Sequence, residues 1–224
     1  MADGERLKRY TTLAAAVDML VEQRIALLNP SKWQDTNDTY FLEMFQEHVR
    51  AKSLYAACFT QAPETFHHWK VFAGDNEGVC VEIDRVALLE SLLDSTGFHW
   101  DDMHYRTLAQ LKARKRINAF ELPFLKRKGF GDEKEFRLIQ WSRVKPQRGV
   151  HYVPIERDWI KAIVLNPWIN ESLFKSMKLA LNAIPGCNAV TIRRTTLVDN
   201  AQWKEAADKV EELPLTVKQP ERSI

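Results

Sequence analysis

"GFGDEKEFRLIQW", residues Gly129 to Trp141, decides how the rest of the chain is read. Glu133, Glu135 and Arg137 lie two residues apart at the mouth of an apolar run. In an extended strand that spacing turns all three side chains to one face. Three charges on one face of an otherwise apolar strand allow three readings. They form a solvated edge, a structural ion-pair network, or the acid of a reaction.

Outward from this strand, "SLYAACFT", "GVCVEID" and "IKAIVLN" read as further buried strands, as do "RIALLNP" and, more weakly, "LKRYTT", "DDMHYR", "HYVPI" and "NAVTIRRTTL". Leu13, Val17, Leu20 and Val21 recur at helical spacing behind a Thr11 or Thr12 cap. Tyr40, Phe41, Met44, Phe45 and Val49 mark a second amphipathic helix, and "RVALLESLLDS" and "NESLFKSMKLALNAI" two more. "TLAQLKARKRINAFELPFLKRKG" reads as a basic helix interrupted near Pro123. The mixture lacks a steady alternation, so the expectation is an α+β fold. It is a single domain over residues 1–198, with a mixed or antiparallel central sheet and flanking helices. Residues 199–224 are expected to be a partly disordered C-terminal extension.

The composition excludes more than it assigns. With 45% hydrophobic and 28% charged residues among 224, the chain is an ordinary globular sequence. A net charge of +2 gives no global field for nucleic acid or anionic lipid. Cys58, Cys80 and Cys187 are an odd, scattered set, which fits free thiols in a reducing compartment. No apolar run reaches the length of a membrane span, and the start lacks a signal-peptide core, so a cytoplasmic protein is expected.

Candidate sites cluster in a few segments. In "WQDTND", Trp33, Asp35 and Asp38 follow a strand end, where Asp38 reads either as a helix cap or as a ligand. His67 and His68 are adjacent, which argues against their sharing a metal, while Trp69 and Phe72 read as the residues that dock their helix on the sheet. Lys112, Arg114, Lys115, Arg116, Lys126, Arg127 and Lys128 make residues 112–128 a basic face, and an electrostatic footprint for nucleic acid or another phosphate-bearing partner. No G-x-S-x-G, P-loop, H-E-x-x-H or paired C-x-x-C occurs, which leaves carboxylates and arginines as the reactive stock.

In their order, "KRYTTL", "NPSKWQDTND", "ACFTQAPE", "HHWKVFAGDNEGVCVEID", "HYR" and "FLKRKGFGDEKEFRLI" resemble the bacterial proteins grouped as domain of unknown function 2971. The positions that carry the likeness are Arg9, Tyr10, Trp33, Asp35, Asp38, Cys58, Phe59, Trp69, Gly78, Val79, Tyr105, Lys126, Glu133, Glu135 and Arg137. It covers about residues 6 to 165, and departs from the family at Thr60 and Phe72, where serine and tyrosine are usual. The resemblance implies a fold pattern and candidate positions, with a place in stress or phage-defence systems, but no reaction.

The order of parts is similar to ADP-ribosyltransferase organisation, and this analogy implies a nucleotide- or NAD-utilising transferase with NAD as substrate and no bound metal. On it Glu135 is the catalytic carboxylate and Glu133 the accessory acid that positions a nucleophile. Arg9 binds phosphate, Tyr10 or Trp33 gives a stacking surface, and Asp35, Asp38, Trp69, Lys126 and Arg137 complete a shared cleft. Two alternatives stand beside it. One is a metal-dependent nuclease or phosphotransfer site on Asp35, Asp38, Glu133 and Glu135. The other is a non-catalytic ligand or nucleic-acid binding module.

Overall fold

The computed structural model describes residues 6–74, 77–145 and 149–209. Strand β1 (Arg6–Thr12) runs into helix α1 (Leu13–Glu22), whose first turn is capped by Thr12 Oγ1 accepting from Ala15 N. Strand β2 (Arg24–Leu28) leads through a 3-10 turn at Pro30–Lys32 to α2 (Thr36–Val49), then β3 (Ser53–Thr60), α3 (Phe66–Phe72), β4 (Gly78–Asp84) and α4 (Arg85–Glu90). After β5 (Phe98–Asp102), β6 (His104–Arg106) and α5 (Leu108–Lys112) comes β7 (Leu125–Arg127), flanked by 3-10 turns at Ala119–Phe124 and Lys128–Glu133. The chain continues through β8 (Glu135–Ser142), β9 (Val150–Pro154), β10 (Ile160–Leu165), α6 (Glu171–Asn182), β11 (Thr191–Arg194) and α7 (Ala201–Glu205).

The architecture is α+β. Nine strands form one mixed sheet, antiparallel except where β10 and β11 run parallel, and β6 pairs with β7 in a separate parallel ribbon. Along one edge β3 pairs with β8 over its whole length, from Ser53↔Ser142 to Thr60↔Glu135. Its other edge is shared. β2 meets it at Leu28↔Ala56 and β1 at Lys8↔Thr60, while β1 otherwise follows β4 and β2 follows β9. The sheet therefore splits beside Ala57–Phe59, and α1 fills the split from one side. Leu7, Ala57, Phe59, Val81, Phe136 and Leu138 project to that side and form the main core with Leu20 and Met19 of α1. Helices α2 and α3 cover the opposite face, α2 through Leu42 and Phe45 on Leu54, Ala56 and Ile139, and α3 through Trp69 on Cys80 and Val164.

Several expectations are corrected. The basic segment is not one helix. Repulsion among Lys112, Arg114, Lys115 and Arg116 opposes a continuous turn, α5 stops at Lys112, and Pro123 removes an amide donor, leaving a 3-10 turn and the short strand β7. "DDMHYR" is two strands broken at Met103, whose N–H turns to the Glu135 carbonyl. Phe72 does not dock α3, being 41% exposed, whereas Trp69 is fully buried. The extension carries α7 before residues 210–224, which lie outside the described residues together with the expectation made for them. Gly78 is required where β4 opens, since a Cβ there would collide with the main chain of Ala73.

Candidate active site

Glu135 is the first residue of β8, and Arg137 the third, so pleating puts both on the face covered by α2. Glu133 is not part of the strand. It ends the preceding 3-10 turn, and Lys134, left-handed at φ 41°, swings the chain between the two glutamates. Both carboxylates nonetheless meet on one ammonium, Lys126 Nζ donating to Glu133 Oε2 at 2.6 Å and to Glu135 Oε2 at 2.8 Å. The other oxygen of Glu135 accepts from Arg137 Nε at 2.8 Å. Arg137 is completely buried and continues the chain into a two-pronged pair with Asp38, at 2.7 Å on each oxygen, and into the Pro123 carbonyl. The Trp33 ring lies 5.0 Å from its guanidinium carbon. Five ionisable side chains thus form one line, Glu133–Lys126–Glu135–Arg137–Asp38, roofed by α2 and β7.

The two glutamates differ in what surrounds them. Burial pushes the Glu135 carboxyl up, but Arg137 and Lys126 together overcome it and hold it down to about 2. Glu133 is raised above its ordinary value, because burial outweighs its single lysine and the charge on Glu135 opposes a second anion. Lys126 is held protonated by the two carboxylates against its own burial. The Cys58 thiol, on the neighbouring strand, is pushed up by burial and then by Glu135, to which it donates. Two further groups lock the main chain here. The Glu135 N–H donates to Tyr105 Oη at 2.8 Å, and Thr60 Oγ1 donates to the Glu133 carbonyl.

Not every candidate joins this line. Asp35, not Asp38, caps α2, its Oδ1 accepting from Asn37 N and Asp38 N. This frees Asp38 for Arg137. Tyr10 and Trp69 share the sheet face with Glu135 but lie in a separate aromatic cluster, Tyr10 stacked on His68 at 5.2 Å and edge-on to Trp69 at 5.0 Å. Arg9 starts from the opposite face, since Lys8 pairs with Thr60 and Thr60 with Glu135, which puts those three on one side and Arg9 on the other. Its guanidinium bridges the split, Nη2 donating to the Ala26 carbonyl at 2.9 Å, while Nη1 is buried and has no partner among the described residues. Burial lowers its pKa. Arg9 therefore does not join the ionic line around Glu135, although its guanidinium passes near enough to Cys58 to feel its charge. The alternative that required four converging carboxylates meets a similar obstacle. Asp38, Glu133 and Glu135 converge on Lys126 and Arg137, not on a common space, and Asp35 is spent on the helix cap. Among the described residues no group of three or more His, Cys, Asp or Glu side chains is placed to hold a metal ion.

No protein-family model and no curated protein matches the chain. Among solved structures it is similar to DarT of Thermus sp. 2.9. The complex with ADP-ribosylated ssDNA is 12% identical, over 87% of this chain and 95% of that one, at a TM-score of 0.46. The NAD+ complex is 10% identical over 85% and 95%, at 0.42. A likeness of this extent transfers no residue role.

Above the ionic line opens a cleft of about 540 Å³, between the first turns of α2 and the β6–β7 ribbon with α5. Asp38 and Lys126 are among its lining residues, and Lys126 Nζ is bonded to Glu135, which does not itself line the cleft. Sequence reasoning offered Arg127 only as part of a basic face and Cys58 only as a position of the resemblance, and it did not single out Arg106. Tyr105 and Thr60 were visible only as positions of the family pattern. The pairing of β6 with β7, which brings Arg106 beside Arg127, has no local signal in two three-residue strands. Among the described residues no helix is long and apolar enough to cross a membrane.

Proposed function

We propose that the chain is a nucleotide-utilising transferase of the ADP-ribosyltransferase kind, with NAD as donor and the Glu133–Glu135 pair as its reactive carboxylates. The observation that carries this reading is the meeting of two buried carboxylates on one lysine, with Glu135 alone also bound by Arg137. Groups whose surroundings push their pKa values apart are suited to different steps of one reaction. Glu135, fixed and ionised, stabilises the positive charge that develops at the ribose carbon as the glycosidic bond to nicotinamide breaks. Glu133, with a raised pKa, is the better matched base. It takes the proton of an acceptor hydroxyl as the new carbon–oxygen bond forms, and nicotinamide leaves with the bonding electrons. Lys126 and Arg137 keep Glu135 from taking that proton itself. A divalent-metal phosphotransfer site draws less support, because its ligand oxygens are already held by cations.

The test is NAD consumption, followed as nicotinamide release, in wild type and in Glu135→Gln and Glu133→Gln. Glu135→Gln keeps the shape and removes the charge, so turnover is expected to fall by at least about a hundredfold while the circular dichroism spectrum is unchanged. Glu133→Gln is expected to lower kcat more than KM and to remove the acidic limb of the pH profile. Full turnover in a well-folded Glu135→Gln protein would leave the five-residue line as a structural network and end the transferase reading.

A further inference from the structure

We infer that the cleft over Lys126 is a nucleoside-diphosphate site, with the phosphates on Arg106 and Arg127 and the base against Tyr40 and Leu108. The argument begins with the ribbon. Arg106 and Arg127 are directly paired across β6 and β7, so their side chains leave the ribbon on the same face. Like charges in that position destabilise a strand pair. Neither is relieved by an ion pair among the described residues. Arg106 Nη1 donates only to the carbonyl of Tyr105, and Arg127 is exposed. Glu121, held down chiefly by Arg114 and also by the charges of His104 and Arg106, offsets only part of this repulsion. A doubly charged anion spanning the two arginines would remove the repulsion and match the planar, forked donors of both.

The other walls narrow the anion's chemistry. Tyr40 is 57% exposed and Leu108 58%, on opposite sides of the cleft, with Phe41 and Leu111 behind them. A phosphate alone would leave these apolar surfaces in water, whereas a flat heteroaromatic ring attached to it would cover them. The cleft's volume is within the range that holds ligands of this size. Of the two acids that line the cleft, only Asp38 is paired with a cation. Asp38 is clamped by Arg137 and Asp35 accepts from two amides of α2.

The ligand's identity rests on the donor reading above. The test is independent of turnover. Calorimetric titration of the full chain with ADP and with inorganic pyrophosphate is compared for wild type, Arg106→Ala, Arg127→Ala and Tyr40→Ala, with NAD consumption measured in parallel. ADP is expected to bind wild type more tightly than pyrophosphate. Each arginine variant should lose about tenfold in affinity for both, equivalent to roughly 1.4 kcal/mol. Tyr40→Ala should weaken ADP and leave pyrophosphate unchanged. All three side chains are exposed, so thermal melts of the variants are expected to match wild type. Absence of ADP binding in wild type, or binding that both arginine variants retain in full, overturns the site. Pyrophosphate binding as tight as ADP overturns the nucleotide assignment. ADP binding with the expected variant pattern but no NAD consumption upholds the cleft and overturns the transferase.

Discussion

At the scale of single residues, the question is how one buried line of charge can serve both stability and reaction. Arg137 is the residue that makes the line possible, being buried without any exposure and bonded to Glu135, Asp38 and the Pro123 carbonyl while stacked under Trp33. Lysine in its place would supply one ammonium where a fork of donors is used, and would strand at least one carboxylate. The same line makes stability depend on pH in a direction that can be worked out. Glu135 has a folded pKa of about 2 against an ordinary 4.5, so its contribution is complete above pH 4.5 and is lost as pH falls from there through 2. The shift corresponds to roughly 3 kcal/mol. Glu133, displaced upward, works the other way, since the folded state takes up its proton first on acidification. Urea unfolding between pH 6 and pH 3 is therefore expected to show a falling stability in wild type. The fall should be steeper in Glu133→Gln and shallower in Glu135→Gln, where the lowered carboxyls of Asp84, Glu121 and Asp199 still contribute. Equal slopes in the three proteins would show that the carboxylates are not coupled through Lys126 as the distances require.

At the scale of elements, α2 shows what local sequence can and cannot tell. The helix was legible from Tyr40, Phe41, Phe45 and Val49, but "WQDTND" offers two aspartates for one cap and periodicity does not choose between them. The choice is made by Arg137, ninety-nine residues away, which takes Asp38 and leaves the cap to Asp35. Likewise, alternation in "EFRLIQW" gave the faces of β8 correctly, and Lys134 explains why Glu133 could not be counted into the same alternation. The β6–β7 ribbon was illegible, because two strands of three residues are held by what surrounds them and not by propensity. The cap assignment has a direct test. Asp35→Ala is expected to cost about 1 kcal/mol, whereas Asp35→Asn, which preserves a cap oxygen, should stay within a few tenths of wild type in urea unfolding. A loss shared equally by both variants would mean that the charge of Asp35, and not its hydrogen bonds to Asn37 and Asp38, is what α2 needs.

At the scale of the whole molecule, the split sheet is the feature that no window of sequence announces. β2 and β3 were recognisable by their apolar runs and β1 only weakly, but the divergence of β1 and β2 along one edge of β3 is a matter of pairing between residues dozens apart. That is also why Arg9 was placed with Glu135. Residue type alone suits an arginine to a phosphate, but the side of the sheet it leaves from is set only by the Lys8↔Thr60 register. The two faces share β3 and β8, with Phe59, Phe136 and Leu138 in the core on one side and Leu54, Ala56 and Ile139 on the other. Neither core can be lost without exposing the back of the strands that carry the other, so the two should unfold as one. The three cysteines report on this from different places: Cys187 is in the main core, Cys80 is under Trp69, and the half-buried Cys58 lies beside Glu135. In native buffer Cys80 and Cys187 are expected to resist a thiol reagent. Cys58 should react slowly, because burial and then Glu135 keep its thiol protonated. Through a urea gradient all three should become reactive with one midpoint, coincident with the loss of tryptophan fluorescence. Release of Cys80 well before Cys187 would show instead that the α3 side opens by itself, and that the sheet does not couple its two faces.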